Sequence, residues 1–366
     1  MYIYEEEYFY KYVVKKEKVN VVTAMLRREE FYETFFIAKK NGEREINAIK
    51  KPSVLYEIQK NLKEYFYKYP ISVAAKGFIP GESYFEFLKP HMGRKFYMRV
   101  DIKDFFGSIT TDTLSKELSR GCKVESIVEI MVQLCTINDK LPQGGVTSPV
   151  LSNIAFTKVD QRIIKYCQSL ITLYKGAERK ANDIVYTRYA DDMLFSSDNF
   201  DFKKSKYFLY MIKKILLENG YKINSEKTKY GYEEIVLSGF VVGKDIHLSR
   251  KKCQQINSIL FYFDKRTPQK RRRPYSVNHE KISHDDMIKE LNKLSIPNEN
   301  GERLSFGNVN DLINYLCGYR AFLISMVRSN MGKSREEKDV HVTQVNKRIE
   351  KIQKLVDALA KHYEKV

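Results

Sequence analysis

Two adjacent carboxylates, Asp191 and Asp192, are the side chains in this sequence best placed to carry out chemistry. They lie between two short apolar segments, residues 184–186 and 193–195, a pattern that favours a hairpin with both acids at its tip. Two like charges at the end of buried strands repel each other unless a cation compensates them. The pair therefore indicates a divalent metal site, although an isolated Asp-Asp pair is more often a solvated turn.

A third carboxylate, Asp101, ends a separate β-prone segment, residues 98–102. It is distant in sequence from Asp191, so the acids can meet only through the fold, as neighbouring strands of one sheet would allow. Between them lies a glycine-rich turn, residues 141–153, with the sequence Leu-Pro-Gln-Gly-Gly-Val-Thr-Ser-Pro-Val-Leu-Ser-Asn. The turn leads into a helix in which an early proline is tolerated, so exposed backbone donors are expected beside a cleft.

The order of an acid-bearing strand, a glycine loop with its helix, and a Tyr-Ala-Asp-Asp hairpin resembles the palm of a template-directed polymerase. Together with the Gln-Gly-Gly-Val-Thr-Ser-Pro-Val-Leu-Ser-Asn segment, it resembles the reverse transcriptase family, closest to the bacterial branch of retron and group II intron enzymes. The resemblance extends from about residue 30 to about residue 245. It implies an α+β, right-hand polymerase fold, with fingers, a palm containing an antiparallel sheet, and a helical thumb.

The resemblance also implies a division of the chain. Residues 1–30 form an N-terminal extension that either contacts nucleic acid or braces the fingers. The fingers and the first part of the palm follow in residues 31–97, and the palm occupies residues 98–245. Residues 246–366 are expected to be an RNA-binding thumb with a C-terminal helix.

The catalytic roles implied by the family concern two magnesium ions, for which manganese is a possible substitute. Asp101, Asp191 and the Ile102 carbonyl are expected to hold them roughly 3.5 to 4 Å apart, with Asp192 supporting the site. One ion would activate the primer 3′-hydroxyl, and the other would stabilise the departing pyrophosphate. Lys227, in the segment Asn-Ser-Glu-Lys-Thr-Lys, is a candidate general acid; a solvated surface lysine is the alternative.

Nucleotide contacts are implied at three places. Phe106 is expected to be a steric gate that excludes a 2′-hydroxyl, so that the enzyme selects dNTPs, while Phe105 faces the core. Gln143 and Gly144 would contact the incoming nucleotide. Residues 35–46 predict a hairpin around Asn-Gly, whose cations would neutralise the triphosphate unless they are simply solvated. These cations are Lys40 and Arg44.

Composition agrees with a nucleic-acid enzyme. The 366 residues are 43% hydrophobic and carry a formal charge of +18, a surplus that attracts polyphosphates. No apolar stretch is long enough to cross a bilayer, and the N-terminus lacks a signal-peptide pattern, which predicts a cytoplasmic protein without a membrane partner. Five scattered cysteines indicate neither a disulfide framework nor a zinc site.

Basic residues are concentrated in the predicted thumb, interleaved with aromatic residues that could stack on unpaired bases. A helix is expected over residues 312–323 and an amphipathic helix at the C-terminus. The cations expected to bind nucleic acid are Lys251, Lys252, Lys265, Arg266, Arg271, Arg272 and Arg273.

The function implied is that of a retron reverse transcriptase. Such an enzyme copies part of a structured noncoding RNA into single-stranded DNA (msDNA), priming from a 2′-hydroxyl, and acts with an effector protein in antiphage defence. The sequence departs from retron patterns in keeping only His91 of an Asn-Ala-x-x-His element and in having Leu-Ser-Gly where Val-Thr-Gly is usual. The alternatives are a defence-associated or group II intron-like enzyme, protein-primed or template-independent, and a non-catalytic RNA-binding scaffold.

Overall fold

The computed structural model describes residues 2–39, 42–172, 183–266, 283–297, 303–330 and 340–363. The chain divides into two compact units, Met1–Ile235 and Val236–Val366. Each unit is described by itself below. In the described ranges, no helix combines the length and the apolar character that a bilayer crossing requires.

The N-terminal segment of the first unit is part of its hydrophobic core. It consists of α1 (Glu6–Tyr8), a π-helical turn (Phe9–Val14) and α2 (Lys18–Leu26). Phe9, Val14 and Val21 are fully buried in the main apolar cluster. Burial of such side chains contributes about 1.5–3 kcal/mol each, so this segment stabilises the unit.

A long hairpin follows, made of β1 (Tyr32–Lys39) and β2 (Gly42–Ile49) in antiparallel register. This confirms the hairpin expected around Asn-Gly. The helices after it are α3 (Val54–Phe66), α4 (Tyr84–Leu88), α5 (Thr111–Leu118), α6 (Glu125–Cys135), α7 (Ser148–Thr172) and α8 (Lys206–Leu217). Short 3₁₀ turns lie at Arg28–Phe31, Lys89–His91 and Ser225–Lys227.

The sheet that carries the acids contains β3 (Phe96–Lys103), β4 (Val185–Tyr189), β5 (Asp192–Ser197), β6 (Lys222–Ile223) and β7 (Lys229–Tyr232). Its order is β4-β5-β3-β6, β7 also pairs with β3, and the pairings are antiparallel. Residues 98, 100 and 102 of β3 belong to the same apolar cluster as Phe156 of α7 and Phe208 of α8. Because strand side chains alternate, Asp101 projects from the face opposite these helices.

The second unit begins with a three-stranded sheet of order β10-β9-β8, formed by β8 (Ile235–Leu237), β9 (Phe240–Val242) and β10 (Ile246–Leu248). The helices in the described part of this unit are α9 (Arg250–Arg266), α10 (His284–Lys293), α11 (Val309–Asn330) and α12 (Val340–Tyr363). Leu312, Leu316 and Leu323 are buried along α11, and Val345 and Ile352 along α12. Both helices expected in this region are confirmed.

Candidate active site

The fold brings the three acids together. Asp101 of β3 and Asp192 of β5 are directly opposite each other across the antiparallel pair. The Ile102 N–H donates a 3.0 Å hydrogen bond to the Asp191 carbonyl, and Ala190 adopts a left-handed conformation with φ +53°, which turns the chain between β4 and β5. The hairpin tip expected at Tyr-Ala-Asp-Asp therefore meets the strand that carries Asp101.

Two cations partly neutralise this cluster. Lys227 Nζ lies 3.1 Å from Asp101 Oδ2. Arg99 donates from both Nε and Nη2 to Asp192 Oδ1, at 2.8 and 2.6 Å. Among the described residues, no cationic side chain pairs with the Asp191 carboxylate, so negative charge is left over at the tip.

Burial and the closeness of like charges shift the pKa values of Asp191 and Asp192. Burial raises the pKa of Asp191, and the neighbouring charges of Asp192 and Asp101 raise it further. Burial also raises the pKa of Asp192, although Arg99 opposes that change. A bound cation would offset this repulsion and lower the pKa of both acids.

The donor set fits a hard divalent cation. Carboxylate oxygens are the ligands that Mg²⁺ prefers, and the unpaired Asp191 carboxylate is the one whose charge lacks compensation. As the side chains stand, no group of three or more His, Cys, Asp or Glu in the described ranges has metal-ligand spacing. Asp101 and Asp192 are instead turned toward Lys227 and Arg99, so ion binding requires these carboxylates to reorient.

A buried ion pair lies directly beneath the catalytic hairpin. Arg188 of β4 and Asp160 of α7 are both completely buried and bonded through three N–H···O contacts of 2.9–3.2 Å. Arg188 also donates to the Ala190 carbonyl at 3.1 Å, and its guanidinium lies 4.4 Å from the Phe156 ring centroid. Tyr186 donates to Asp160 at 2.6 Å. The position of the hairpin tip thus depends on a charge pair inside the core.

The glycine-loop helix supports the same hairpin. Asn153 of α7 donates to the Gly77 carbonyl at 2.7 Å and accepts a 3.3 Å hydrogen bond from Arg188. A Cβ on Gly77 would lie 3.1 Å from the Ala190 nitrogen and 3.2 Å from Tyr189 Cγ. The last residue of the motif therefore has an architectural role that its sequence does not reveal.

The glycine-rich turn before α7 is hydrogen-bonded to β2, the second strand of the N-terminal hairpin. The Asn47 N–H of β2 donates to the Gln143 carbonyl at 2.9 Å, and Gly144 has φ +122°, where a Cβ would approach the Asn47 carbonyl oxygen to 2.8 Å. Gln143 is half-buried. Arg44 lies three residues before Asn47 on the same strand and is half-buried, and its Nε has no hydrogen-bond partner among the residues that the structure describes.

The paired phenylalanines differ in their surroundings. Phe105 is 4% exposed and packs against Phe156 and Tyr221. Phe106 is half-buried and contacts Phe78, whose ring lies 5.9 Å from that of Tyr189. This division agrees with one core ring and one ring near the catalytic tip; the gate role itself remains a prediction.

Of the remaining residues expected to bind nucleotide or nucleic acid, the structure describes the side chains of only some. Lys251 is exposed and Lys252 half-buried on α9, where the Lys252 ammonium lies over the rings of Tyr319 and Phe322. Lys40 and residues 271–273 lie outside the described residues, as do the side chains of Lys265 and Arg266. Their binding roles stay predictions.

The sequence analysis named Lys227 but missed Arg99, the other cation that accompanies the acids. Arg99 precedes Asp101 by two positions, so the alternation of a strand would have placed it on the same face. Arg188 and Asp160 offered no such signal because they meet only in the folded chain. His91 was noted only as a motif residue; it is fully buried between Ser196 Oγ and Thr187 Oγ1, at 2.7 and 2.8 Å, and burial lowers its pKa to about 3.

A model of the family described as "Reverse transcriptase (RNA-dependent DNA polymerase)" matches residues 39–268. The chain belongs to the reverse transcriptase family. The matched range contains the acid cluster, the glycine-rich turn and the Tyr-Ala-Asp-Asp hairpin. The expected right-hand polymerase fold and enzyme class, an RNA-directed DNA polymerase, are thereby confirmed at the level of the family.

Several curated relatives of this reverse transcriptase are retron enzymes. It is 27% identical to the retron Ec86 reverse transcriptase of Escherichia coli over 62% of this chain and 68% of that protein. It is 28% identical to the retron Mx65 enzyme of Myxococcus xanthus, over 64% and 56%. It is also 28% identical to the retron Ec73 enzyme of Escherichia coli, over 62% and 73%. The expectation from the sequence, that this chain is a retron-type bacterial reverse transcriptase, is confirmed.

Among solved structures, this reverse transcriptase is similar to apo telomerase from Candida tropicalis truncated from the C-terminal domain. The identity is 14% and the TM-score 0.39, over 60% of this chain and 55% of that one. A similarity this low carries no functional inference.

Proposed function

We propose that this protein is the RNA-directed DNA polymerase of a retron, which copies part of a structured noncoding RNA into single-stranded DNA. The observation that carries the proposal is the convergence of Asp101, Asp191 and Asp192 at one hairpin tip within a reverse transcriptase domain. The retron relatives support the choice of substrate. The defence role and the effector protein rest on the resemblance alone.

In the proposed mechanism, Asp101 and Asp191, with the Ile102 carbonyl, would hold the divalent cations, and Asp192 would support them. When bound, such ions activate the primer hydroxyl and neutralise charge on the reacting phosphates. Arg99 fixes the Asp192 carboxylate, leaving Asp191 as the acid with the most uncompensated charge. Burial raises the pKa of Asp191, and a bound cation would oppose that rise.

Lys227 has two proposed roles that follow each other. Without metal, its ammonium pairs with Asp101 and limits the repulsion among the acids. With a divalent cation bound at the acids, Lys227 would be free to donate a proton to the leaving pyrophosphate. Its side chain is 56% exposed, so it can move without disturbing the core.

Nucleotide selection is proposed to depend on Phe106, with Gln143 and Gly144 forming the opposite wall. Phe106 packs against the edge of the core and its ring centroid lies 6.2 Å from that of Phe78, whose ring in turn contacts Tyr189 at the end of β4. A bulky ring at this position excludes a ribose 2′-hydroxyl by its volume.

The substrate proposal is tested by purifying the protein from its native host and sequencing the nucleic acid that accompanies it. The sample is divided and treated with ribonuclease, with debranching enzyme or with protease. Short DNA joined to a structured RNA through a debranchable linkage is the expected result. DNA released only by protease, or no DNA despite activity on an added template-primer, would instead indicate the protein-primed or another defence-associated alternative.

A further inference from the structure

The outward face of α8 carries an uninterrupted stripe of cations and aromatic rings. Lys206, Tyr207, Tyr210, Lys213, Lys214 and Leu217 are all exposed. At 100° per residue these positions fall within about 120° of the helix circumference. The opposite side of the helix, with Phe208, Ile212, Ile215 and Leu216, is buried in the core. The exposed stripe is called the α8 face below.

The aromatic part of the α8 face is unusual for a solvated surface. Tyr207 and Tyr210 are 64% and 57% exposed, and their rings lie 5.9 Å apart with planes 31° from parallel. One helical turn separates them, so the pair offers two neighbouring ring faces to solvent. Exposed aromatic rings of this kind stack on unpaired bases at about 1–3 kcal/mol per base.

The charged part is almost uncompensated. Lys203 and Lys204 in the preceding turn are exposed and add to the three lysines of the stripe. Of these five, only Lys204 has a carboxylate within ion-pair distance among the described residues, Asp201 at 3.8 Å. Glu218, at the C-terminal end, is already paired with Arg162 at 2.6 Å. The ammonium groups of Lys206, Lys213 and Lys214 are spread over about 12 Å of the helix, and such a row is complementary to a phosphodiester backbone.

The α8 face is distinct from the catalytic cluster. Phe208 and Ile212 of α8 pack in the same core as Val100 and Ile102 of β3, whereas Asp101 projects from the other face of that strand. The sheet therefore separates the stripe from the acids. A template-primer held at the acids cannot lie on this face unless the nucleic acid continues beyond the site of synthesis.

We propose that the α8 face is a second RNA-binding surface, which holds a part of the structured RNA that is not being copied. Its lysines contact the phosphates, and Tyr207 and Tyr210 stack on unpaired bases of a loop or tail. This inference rests on the proposed function, because it assumes an RNA longer than the template-primer duplex. Single-stranded regions are favoured because a paired helix hides the faces of its bases.

The inference is tested with two substrates. One is a labelled RNA hairpin with a single-stranded tail, used for equilibrium binding. The other is a short oligo(dT)-primed poly(rA) template, used to measure dTMP incorporation. Tyr207→Ala with Tyr210→Ala is expected to weaken hairpin binding at least about tenfold, while the double Tyr→Phe variant binds like wild type. Incorporation on the short template stays at the wild-type rate in both variants.

The lysines are tested through salt dependence. Lys213→Ala with Lys214→Ala is expected to lower the slope of log affinity against log salt concentration by about 1.4 to 1.8. The matched control, Lys60→Ala with Lys68→Ala, removes two exposed lysines of the same unit and should leave the slope unchanged. Circular dichroism verifies that each variant is folded.

Three outcomes would overturn the inference. The first is unchanged hairpin affinity in the double Tyr→Ala variant. The second is an equal loss in the control lysine variant, which would show a general charge effect. The third is equal binding of a single-stranded DNA tail or an acidic peptide to the α8 face in place of RNA. Failure of the wild-type protein to incorporate dTMP would instead count against the proposed function and leave the binding result to be judged separately.

Discussion

The buried pair of Arg188 and Asp160 provides a quantitative test of how the hairpin tip is supported. Arg188→Met leaves the Asp160 carboxylate completely buried, and among the described residues only the Tyr186 hydroxyl still donates to it. Removing one partner of such a pair costs about 3–5 kcal/mol. Asp160→Leu leaves the buried Arg188 guanidinium without its carboxylate partner. Each single substitution should therefore lower the free energy of unfolding by about that amount.

The double substitution should cost less than the sum of the two. It removes both charges and leaves only orphaned neutral groups, chiefly the Ala190 carbonyl and the Tyr186 hydroxyl, at about 1–3 kcal/mol each. We therefore expect a coupling energy of at least about 2 kcal/mol between Arg188 and Asp160. DNA synthesis should remain impaired in the double variant, because the hydrogen bond from Arg188 to Ala190 is not restored.

The assay is urea unfolding followed by far-ultraviolet circular dichroism, since the chain contains no tryptophan. The exposed pair Lys18–Glu6, with side chains 62% and 41% exposed, is a matched control and should show a much smaller coupling, because solvent screens exposed ion pairs. Additive losses at Arg188 and Asp160, equal to the sum of the single substitutions, would refute the reasoning.

Three further predictions follow from single residues. His91, with its pKa lowered to about 3, stays neutral when folded but takes a proton when unfolded. The stability that this difference contributes above pH 6.5 should therefore be lost as pH falls toward 3, by about 1.4 kcal/mol per pH unit. Urea titrations of His91→Gln at several pH values should show a weaker dependence of the free energy of unfolding on pH. An unchanged dependence would show that His91 is not its source. Gly144→Ala should lower the free energy of unfolding by about 1–3 kcal/mol and slow DNA synthesis, because the added Cβ meets the Asn47 carbonyl. Gly220→Ala is the control, since Gly220 also has a positive φ but has open space around it, and this substitution should cost less. Equal losses of unfolding free energy in the two variants would argue against the clash. Phe106→Ala should admit ribonucleotides in primer extension, and unchanged sugar discrimination would count against the gate.

Much of the site was predictable because its motifs are local. The Asp-Asp tip, the β-prone segment ending in Asp101 and the Asn-Gly hairpin each follow from alternation and turn chemistry over a few residues. The family resemblance then supplied the relation among them.

The interior charges were not predictable in the same way. Arg188 and Asp160 lie on a strand and a helix that meet only after folding, and nothing near either residue indicates its partner. The same holds for Lys227, which was identified as a possible acid but whose contact with Asp101 depends on the pairing of β3 with β6. The α8 face was equally hidden, because exposure of Tyr207 and Tyr210 is a property of the packed helix.

The central claim, that the acid cluster performs RNA-templated DNA synthesis, is tested most directly at Asp191. The measurement is single-turnover extension of a DNA primer on an RNA template with dNTPs and Mg²⁺, alongside RNA binding by the same preparations. Asp191→Asn should slow extension by about a thousandfold or more, since it removes several kcal/mol of charge stabilisation, while RNA affinity is retained. The control Asp112→Asn, at an exposed position on α5, should extend at the wild-type rate. Extension by Asp191→Asn at a rate close to wild type would contradict the account.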